Sequence, residues 1–324
     1  MLALLAAAAG LGTPPPDPAV LHANAVGRQP YEEGYLGTGE SRIHYVATGK
    51  GPTVILVHGF PSFWYVWFDQ MEAFAACRRM IAIDAPGAGR SGRPAGDEAY
   101  RVERLARRLD EAIAALAGRE KVTLVGHDWG GALAWSYAQW KPARVERLAV
   151  LSAPSYDLFL DLLAEDPEQR AASAYIPRLT ALDRASVAER NVPATLYETA
   201  YRRMVEEGVL TAEEGALFRA SLADPAAVDA GIAWYRANIP PFDQAAAAPR
   251  WPRRAKPLAL PVLLIEGSAD RTFAPSLAAR AKARTPNLTS VTLAGVGHWT
   301  PFEKPEGANA ALGAFIGLPG GRCP

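Results

Sequence analysis

Three short stretches of the chain are apolar at almost every position: TVILVHG at residues 53–59, KVTLVGH at 121–127 and PVLLIEG at 261–267. A strand with one wet face alternates polar and apolar residues, so an uninterrupted β-rich run needs cover on both faces. Helices flanking a parallel sheet provide that cover. Further strands are expected at 42–47, 79–83, 148–151 and 289–293, with helices at 102–116, 131–140, 275–284 and 305–315. This β-α-β rhythm predicts an α/β fold with a mostly parallel, doubly wound sheet.

The rhythm stops between about 155 and 257, where Ala, Glu, Asp, Arg and Leu dominate and no strand run occurs. APSYD on entry and PPFDQAAAAPRWPRRAKP on exit are loop signals, so the block reads as a helical insertion. An insertion at the carboxyl end of the strands would sit over the ligand crevice of an open α/β sheet, where a lid belongs. The expected division is an N-terminal segment 1–30, a core made of 31–154 and 258–324, and a helical cap at 155–257.

Composition narrows the partners. With 34 basic and 34 acidic residues among 324, and no run of like charge, the chain lacks the electrostatic footprint of a nucleic-acid or anionic-membrane binder. Residues 2–11, LALLAAAAGL, fall well short of the roughly 20 needed to cross a bilayer, so no transmembrane anchor is expected. The stretch suits the apolar part of a secretory signal, although no Lys or Arg precedes it. Export to the periplasm or medium is the favoured expectation; an Ala-rich tail on a cytoplasmic protein is the alternative. In either case the folded body is expected to begin near Tyr31. Cys77 and Cys323 show neither metal-ligand spacing nor a framework pattern, so neither a zinc site nor a disulfide scaffold is expected.

The chemistry centres on Gly126-His127-Asp128-Trp129-Gly130, between the strand KVTLV and the helix GALAWSYAQW. A sharp strand-to-helix turn that lifts one side chain clear of a sheet needs small neighbours, and the glycines supply them. An aspartate there is already anionic at neutral pH, its ordinary pKa being about 4. It needs no base to activate it, yet it attacks acyl groups poorly because the product anhydride is more reactive than the reactant. Displacement at saturated carbon is what it can do. The resulting ester on Asp128 must then be cleaved by water, which requires a general base.

Of five histidines, His22 lies in the N-terminal segment, His44 in an early strand, and His58 and His127 in tight turns where structural hydrogen bonds are the better reading. His298, in Gly295-Val296-Gly297-His298-Trp299, follows the last expected strand and is the candidate base. Asp270 in GSAD follows the strand VLLIE and is the candidate acid that orients it, with Glu266 and Asp157 as weaker choices. The order Asp128, Asp270, His298 is that of nucleophile, acid and histidine in elbow-type triads. For the oxyanion of the second step, the backbone N–H groups of Phe60 and Trp129 are the expected donors, since Pro61 has none.

Together, HGFP at 58–61, DAPGAGRS at 84–91, GHDWGG at 126–131, GSAD at 267–270 and GVGHWTPFEKP at 295–305 resemble the epoxide hydrolases of the α/β-hydrolase superfamily, with haloalkane dehalogenases as near relatives. The resemblance spans residues 35–315 and implies the α/β-hydrolase fold, an Asp nucleophile and a helical cap. It also implies two cap tyrosines that hydrogen-bond the epoxide oxygen. Ala233-Trp234-Tyr235-Arg236 matches one, and QRAASAYIPRL at 169–179 puts Tyr175 in the other role, with Tyr156, Tyr197 and Tyr201 nearby in sequence. The loop DAPGAGRS departs from the commoner form, which has a bulky residue between its glycines.

Phe60 stands where many haloalkane dehalogenases carry a halide-binding Asn, and no Arg follows the nucleophile as it does in fluoroacetate dehalogenases. The resemblance therefore implies an epoxide hydrolase that releases a vicinal diol, with haloalkane dehalogenation as the alternative reaction. A non-catalytic binding protein of the same fold is the rival of another class. The expected substrates are a small apolar epoxide and water, in a pocket walled by Phe60, Trp129, Trp234 and Trp299. No metal or organic cofactor is implied. A homodimer is compatible with the sequence, which does not otherwise fix the oligomeric state.

Overall fold

The computed structural model describes residues 14–253 and 257–324; the apolar stretch at 2–11 lies outside them. Helix α1 (Pro18–Val26) precedes β1 (Glu32–Leu36), β2 (Ile43–Thr48), β3 (Thr53–Val57), α2 (Phe68–Phe74), β4 (Arg79–Ile83), α3 (Val102–Ala117), β5 (Val122–His127), α4 (Trp129–Trp140) and β6 (Val145–Leu151). Eight cap helices follow among the described residues: α5 (Tyr156–Glu165), α6 (Pro167–Ala172), α7 (Ile176–Thr180), α8 (Arg184–Glu189), α9 (Val192–Ala200), α10 (Arg202–Glu206), α11 (Ala212–Ser221) and α12 (Pro225–Asn238). The chain then returns to the sheet through β7 (Val262–Gly267), α13 (Leu277–Arg284), β8 (Leu288–Leu293), α14 (Thr300–Glu303) and α15 (Pro305–Phe315).

The eight strands form one sheet in the order β1-β2-β4-β3-β5-β6-β7-β8. Strand β2 runs antiparallel to its neighbours β1 and β4, and the remaining pairs are parallel. The α/β fold expected from the sequence is thus the observed one. Alternate residues of the central strands enter opposite layers. Ile55 and Val57 belong to one apolar cluster and Val54 and Leu56 to the other; Leu264 and Leu263 divide in the same way. Burying both faces is what makes these runs continuously apolar, and truncating one such side chain, as in Ile55→Ala, removes about 2–5 kcal/mol of stability.

Register brings the functional loops to one edge. Val57 pairs with Gly126, His127 with Leu151 and Gly267 with Leu293. The loops that follow β3, β5, β7 and β8 therefore emerge together at the carboxyl ends of the strands.

Two sequence expectations are corrected, and one strand is added. The folded body starts before Tyr31: Asp17 caps α1 by accepting the Ala19 N–H at 2.9 Å and the Trp64 indole N–H at 3.0 Å, and Ala19, Val20 and Ala23 are buried. Strand β1, with the sequence EEGYL, carries no apolar run because it lies on the sheet's edge. Finally, Cys77 and Cys323 form a disulfide across 246 residues, a separation at which sequence spacing carries no signal.

Candidate active site

The turn from β5 into α4 puts Asp128 at φ 52°, in the left-handed region that side chains avoid. The conformation is held by the Asp128 N–H, which donates to the Leu151 carbonyl, and by the Ala132 N–H, which donates back to the Asp128 carbonyl at 3.0 Å. Close packing explains the flanking glycines. A Cβ on Gly130 would lie 2.1 Å from the Val57 carbonyl oxygen, and one on Gly126 2.4 Å from the Gly130 oxygen.

Asp128 is buried, and its two oxygens are treated differently. Oδ1 accepts the Phe60 backbone N–H at 2.8 Å, whereas Oδ2 lies 3.6 Å from His298 Nε2. His298 Nδ1 is 3.0 Å from Asp270 Oδ2, and Asp270 Oδ1 accepts the Thr272 N–H at 2.7 Å. The structure therefore brings together Asp128, Asp270, His298 and the Phe60 N–H. Burial by itself would raise the Asp128 carboxyl; the adjacent His298, with help from the Trp129 backbone N–H, holds it below its ordinary value. Burial opposes a charge on His298, but Asp270 and then Asp128 raise it well above its usual 6.5. Asp270 is lowered because the charge and hydrogen bond of His298 outweigh burial.

The other histidines hold backbone. His58 Nε2 accepts the Ala85 N–H at 3.0 Å, so its Nδ1 carries the proton and donates to the Gly59 carbonyl at 2.8 Å. His127 Nε2 donates to the carbonyl of His298 at 2.9 Å, which fixes the backbone that carries the base. Burial, together with the nearby His298 charge, pulls His127 down to about 4, so it stays neutral. Glu266 and Asp157 make no hydrogen bond to His298.

A cavity is lined by Asp128 and Trp129 from the core, by Tyr156, Tyr175 and Tyr235 from the cap, and by Phe273. The Tyr156 hydroxyl is already committed to the Asn238 carbonyl at 2.9 Å, and Tyr201 donates to the Pro61 carbonyl. Tyr197 packs under Arg219. Tyr175 and Tyr235 face each other edge-on, with ring centroids 6.1 Å apart. Burial raises both hydroxyls, Tyr235 furthest, so both remain protonated donors at neutral pH. A second cavity shares the Trp129 wall and adds Phe60, Ala88, Gly231 and Trp234, but it does not reach Asp128.

Trp299 is a correction. Instead of lining either cavity, it stacks on Phe302 and Tyr201, with centroids at 5.5 and 4.9 Å, because the chain turns inward to begin α14. Two residues that position the site, Gln169 and Arg236, have no role legible from the sequence although they lie in the stretches that carry Tyr175 and Tyr235. Gln169 donates to the Thr272 carbonyl and accepts the Ala274 N–H, both at 3.0 Å, joining the helix before Tyr175 to the loop of Asp270. Arg236 grips Asp97 with two contacts of 3.0 Å and so fastens α12, the helix of Tyr235, to the core.

A parallel sheet with an acidic residue on a strained elbow, a histidine held by a second carboxylate and a helical cap defines a hydrolase of the α/β-hydrolase type, and the chain belongs to that family: the model described as alpha/beta hydrolase fold matches residues 52–305. Within it, the chain groups with the epoxide hydrolases. It is 30% identical to epoxide hydrolase 4 of Mus musculus over 85% of this chain and 76% of that protein. The AB hydrolase superfamily protein YfhM of Bacillus subtilis is 28% identical over 87% of this chain and 96% of its own length. The crystal structure of an epoxide hydrolase from Bacillus megaterium in complex with an inhibitor superposes with a TM-score of 0.77, at 26% identity, covering 87% of this chain and 99% of that one.

Proposed function

We propose that the protein hydrolyses a small apolar epoxide to a vicinal diol through an ester on Asp128. The observation that carries this reading is that one cavity receives a buried carboxylate from the core and two protonated phenols from the cap. Asp128 Oδ2 attacks an epoxide carbon; the C–O bond breaks, and the oxygen takes a proton from Tyr235 or Tyr175. Forming the ester removes one of the two negative charges that keep His298 protonated, so its proton affinity falls and it becomes a base when one is needed. The proton it gives up restores the tyrosine hydroxyl. His298 then takes a proton from a water that adds to the Asp128 carboxyl carbon. The Phe60 and Trp129 N–H groups stabilise the oxyanion on Oδ1; its collapse breaks the bond from the carboxyl carbon to the substrate oxygen, which leaves with the proton of the newly added hydroxyl, releasing the diol and the Asp128 carboxylate.

Residues 155–257 act in this account as the cap that carries the ring-opening donors, over a core made of 31–154 and 258–324 together with α1. A haloalkane would leave a halide that needs N–H donors without a proton to give. Phe60 offers no side-chain donor, and the Trp129 indole packs edge-on against Tyr235 with ring centroids 5.1 Å apart, so epoxides are the better substrates. Export is favoured by the Cys77–Cys323 disulfide, since such bonds persist in oxidising compartments. The discriminating experiment is a side-by-side assay with a small aryl epoxide and a short bromoalkane. Diol without bromide is expected; bromide without diol would reassign Tyr175 and Tyr235 to cap packing.

A further inference from the structure

Away from the catalytic cavity, Asp17 at the start of α1, Glu33 on β1 and His44 on β2 bring one ligand atom each to within 4.8 Å of one another. His44 is fully buried, and its two ring nitrogens differ. Nδ1 is 2.8 Å from Asp84 Oδ2, whereas Nε2 has no hydrogen-bond partner among the described residues and stands 3.6 Å from Glu33 Oε2. That separation is too long for a hydrogen bond. It suits two ligands of one cation, since bonds of about 2.0–2.2 Å at a tetrahedral angle put donors roughly 3.4 Å apart. Tyr35, whose ring centroid is 5.0 Å from that of His44, has a second buried polar atom, its hydroxyl, without a partner. Two buried polar atoms without a partner thus lie beside two carboxylates whose oxygens, among the described residues, accept only N–H groups, those of Ala19, Trp64 and Asp17.

We propose that Asp17, Glu33 and His44 hold a divalent transition cation of the zinc class, with water completing the shell. The ligand set, one imidazole and two carboxylates, suits such an ion. The Asp84 carboxylate behind His44 is the outer-shell partner that fixes a metal-binding imidazole by accepting its other N–H. Asp84 is itself anchored, accepting the backbone N–H groups of Trp64 and Arg90 at 2.8 Å each. Asp17 also lines a surface groove between α1 and α11, which brings solvent to one side of the cluster. Glu33 is about one-fifth exposed, which leaves room for the water. The competing cation is Arg90, whose Nη1 is 4.0 Å from Glu33 Oε2. An ion here would staple α1 to the antiparallel edge of the sheet, distant in sequence from every triad residue; its role is structural.

The test uses the full chain, stripped with a chelator and titrated with zinc by calorimetry, with cobalt absorption as the second readout. To exclude the triad as a zinc ligand, the titration is repeated in His298→Gln. One zinc per chain is expected, with a rise in Tm that persists in His298→Gln. Glu33→Gln keeps the shape of a partly exposed side chain and should lose at least about tenfold in zinc affinity. Its metal-free Tm should match that of the stripped parent, and the cobalt band should weaken. Zinc affinity unchanged by Glu33→Gln, binding abolished by His298→Gln, or no binding at all would overturn the proposal. Those outcomes would leave an imidazolium–carboxylate pair bridged by water. None of these readouts involves turnover, so they stand or fall independently of the epoxide reading.

Discussion

His298 Nε2 and Asp128 Oδ2 stand 3.6 Å apart, opposed but not hydrogen-bonded. A nucleophile that is already ionised gains nothing from a base bonded to it, and it must keep a lone pair free for carbon. On the proposed mechanism, the water of the second step is held by His298 Nε2 beside the Asp128 carboxyl carbon. On that mechanism one geometry serves both steps, because His298 becomes a base once the ester has removed the charge of Asp128.

Asp128→Asn removes the anionic nucleophile while preserving size. Diol formation should fall by at least about a thousandfold, on the scale seen when an acting nucleophile is removed. Steady-state assay and a melting curve separate this loss from unfolding, and unchanged activity would exclude the covalent route.

Tyr235→Phe and Tyr175→Phe each delete one of the two donors proposed for the epoxide oxygen. Each should slow ring opening by about 10- to 100-fold, less than the loss of a sole donor, and the double variant should lose more than either. Pre-steady-state ester formation reads this directly. Equal rates in Tyr235→Phe and the parent would show that the cap tyrosines only pack.

Gly130→Ala should destabilise the fold by about 1–3 kcal/mol or prevent it, because the new Cβ would strike the Val57 carbonyl oxygen at 2.1 Å. Urea unfolding measures the loss, and a neutral result would mean that the elbow packs more loosely than described.

Stability should depend on pH in a defined sense. His298 is raised in the folded state, so its contribution is fully present below the unfolded value of 6.5 and is lost as pH rises through the raised one. Asp128 and Asp270 are lowered, so theirs is present above the unfolded value of 3.8 and is lost as pH falls through the lowered ones. Tm measured across pH should therefore fall on both arms, and His298→Gln should flatten the alkaline arm. An unaltered alkaline arm would place the stabilising charge elsewhere.

Most of the sheet was legible because a strand buried on both faces cannot conceal its composition; the run at 53–57 matches β3 (Thr53–Val57). Strand β1 was not legible, since an edge strand reading EEGYL can be polar without cost. The elbow at Asp128 and the placement of His298 beside it were readable because local turn chemistry restricts both to glycine-flanked positions. Which cap tyrosines face Asp128 was harder, because it depends on how short helices tilt, and Tyr156 was excluded only by its bond to Asn238. Trp299 was misplaced for a related reason: adjacency to His298 does not fix which way an indole turns. The Cys77–Cys323 pair and the Asp17–Glu33–His44 cluster are assembled by tertiary contacts alone, beyond the reach of spacing rules.

The central claim is the ester on Asp128, and the most direct measurement is mass spectrometry of His298→Gln mixed with a small aryl epoxide under single-turnover conditions. The account predicts a mass increase equal to the epoxide, on the peptide that contains Asp128. Diol release from this variant at the parent rate, with no adduct at any time, would contradict it.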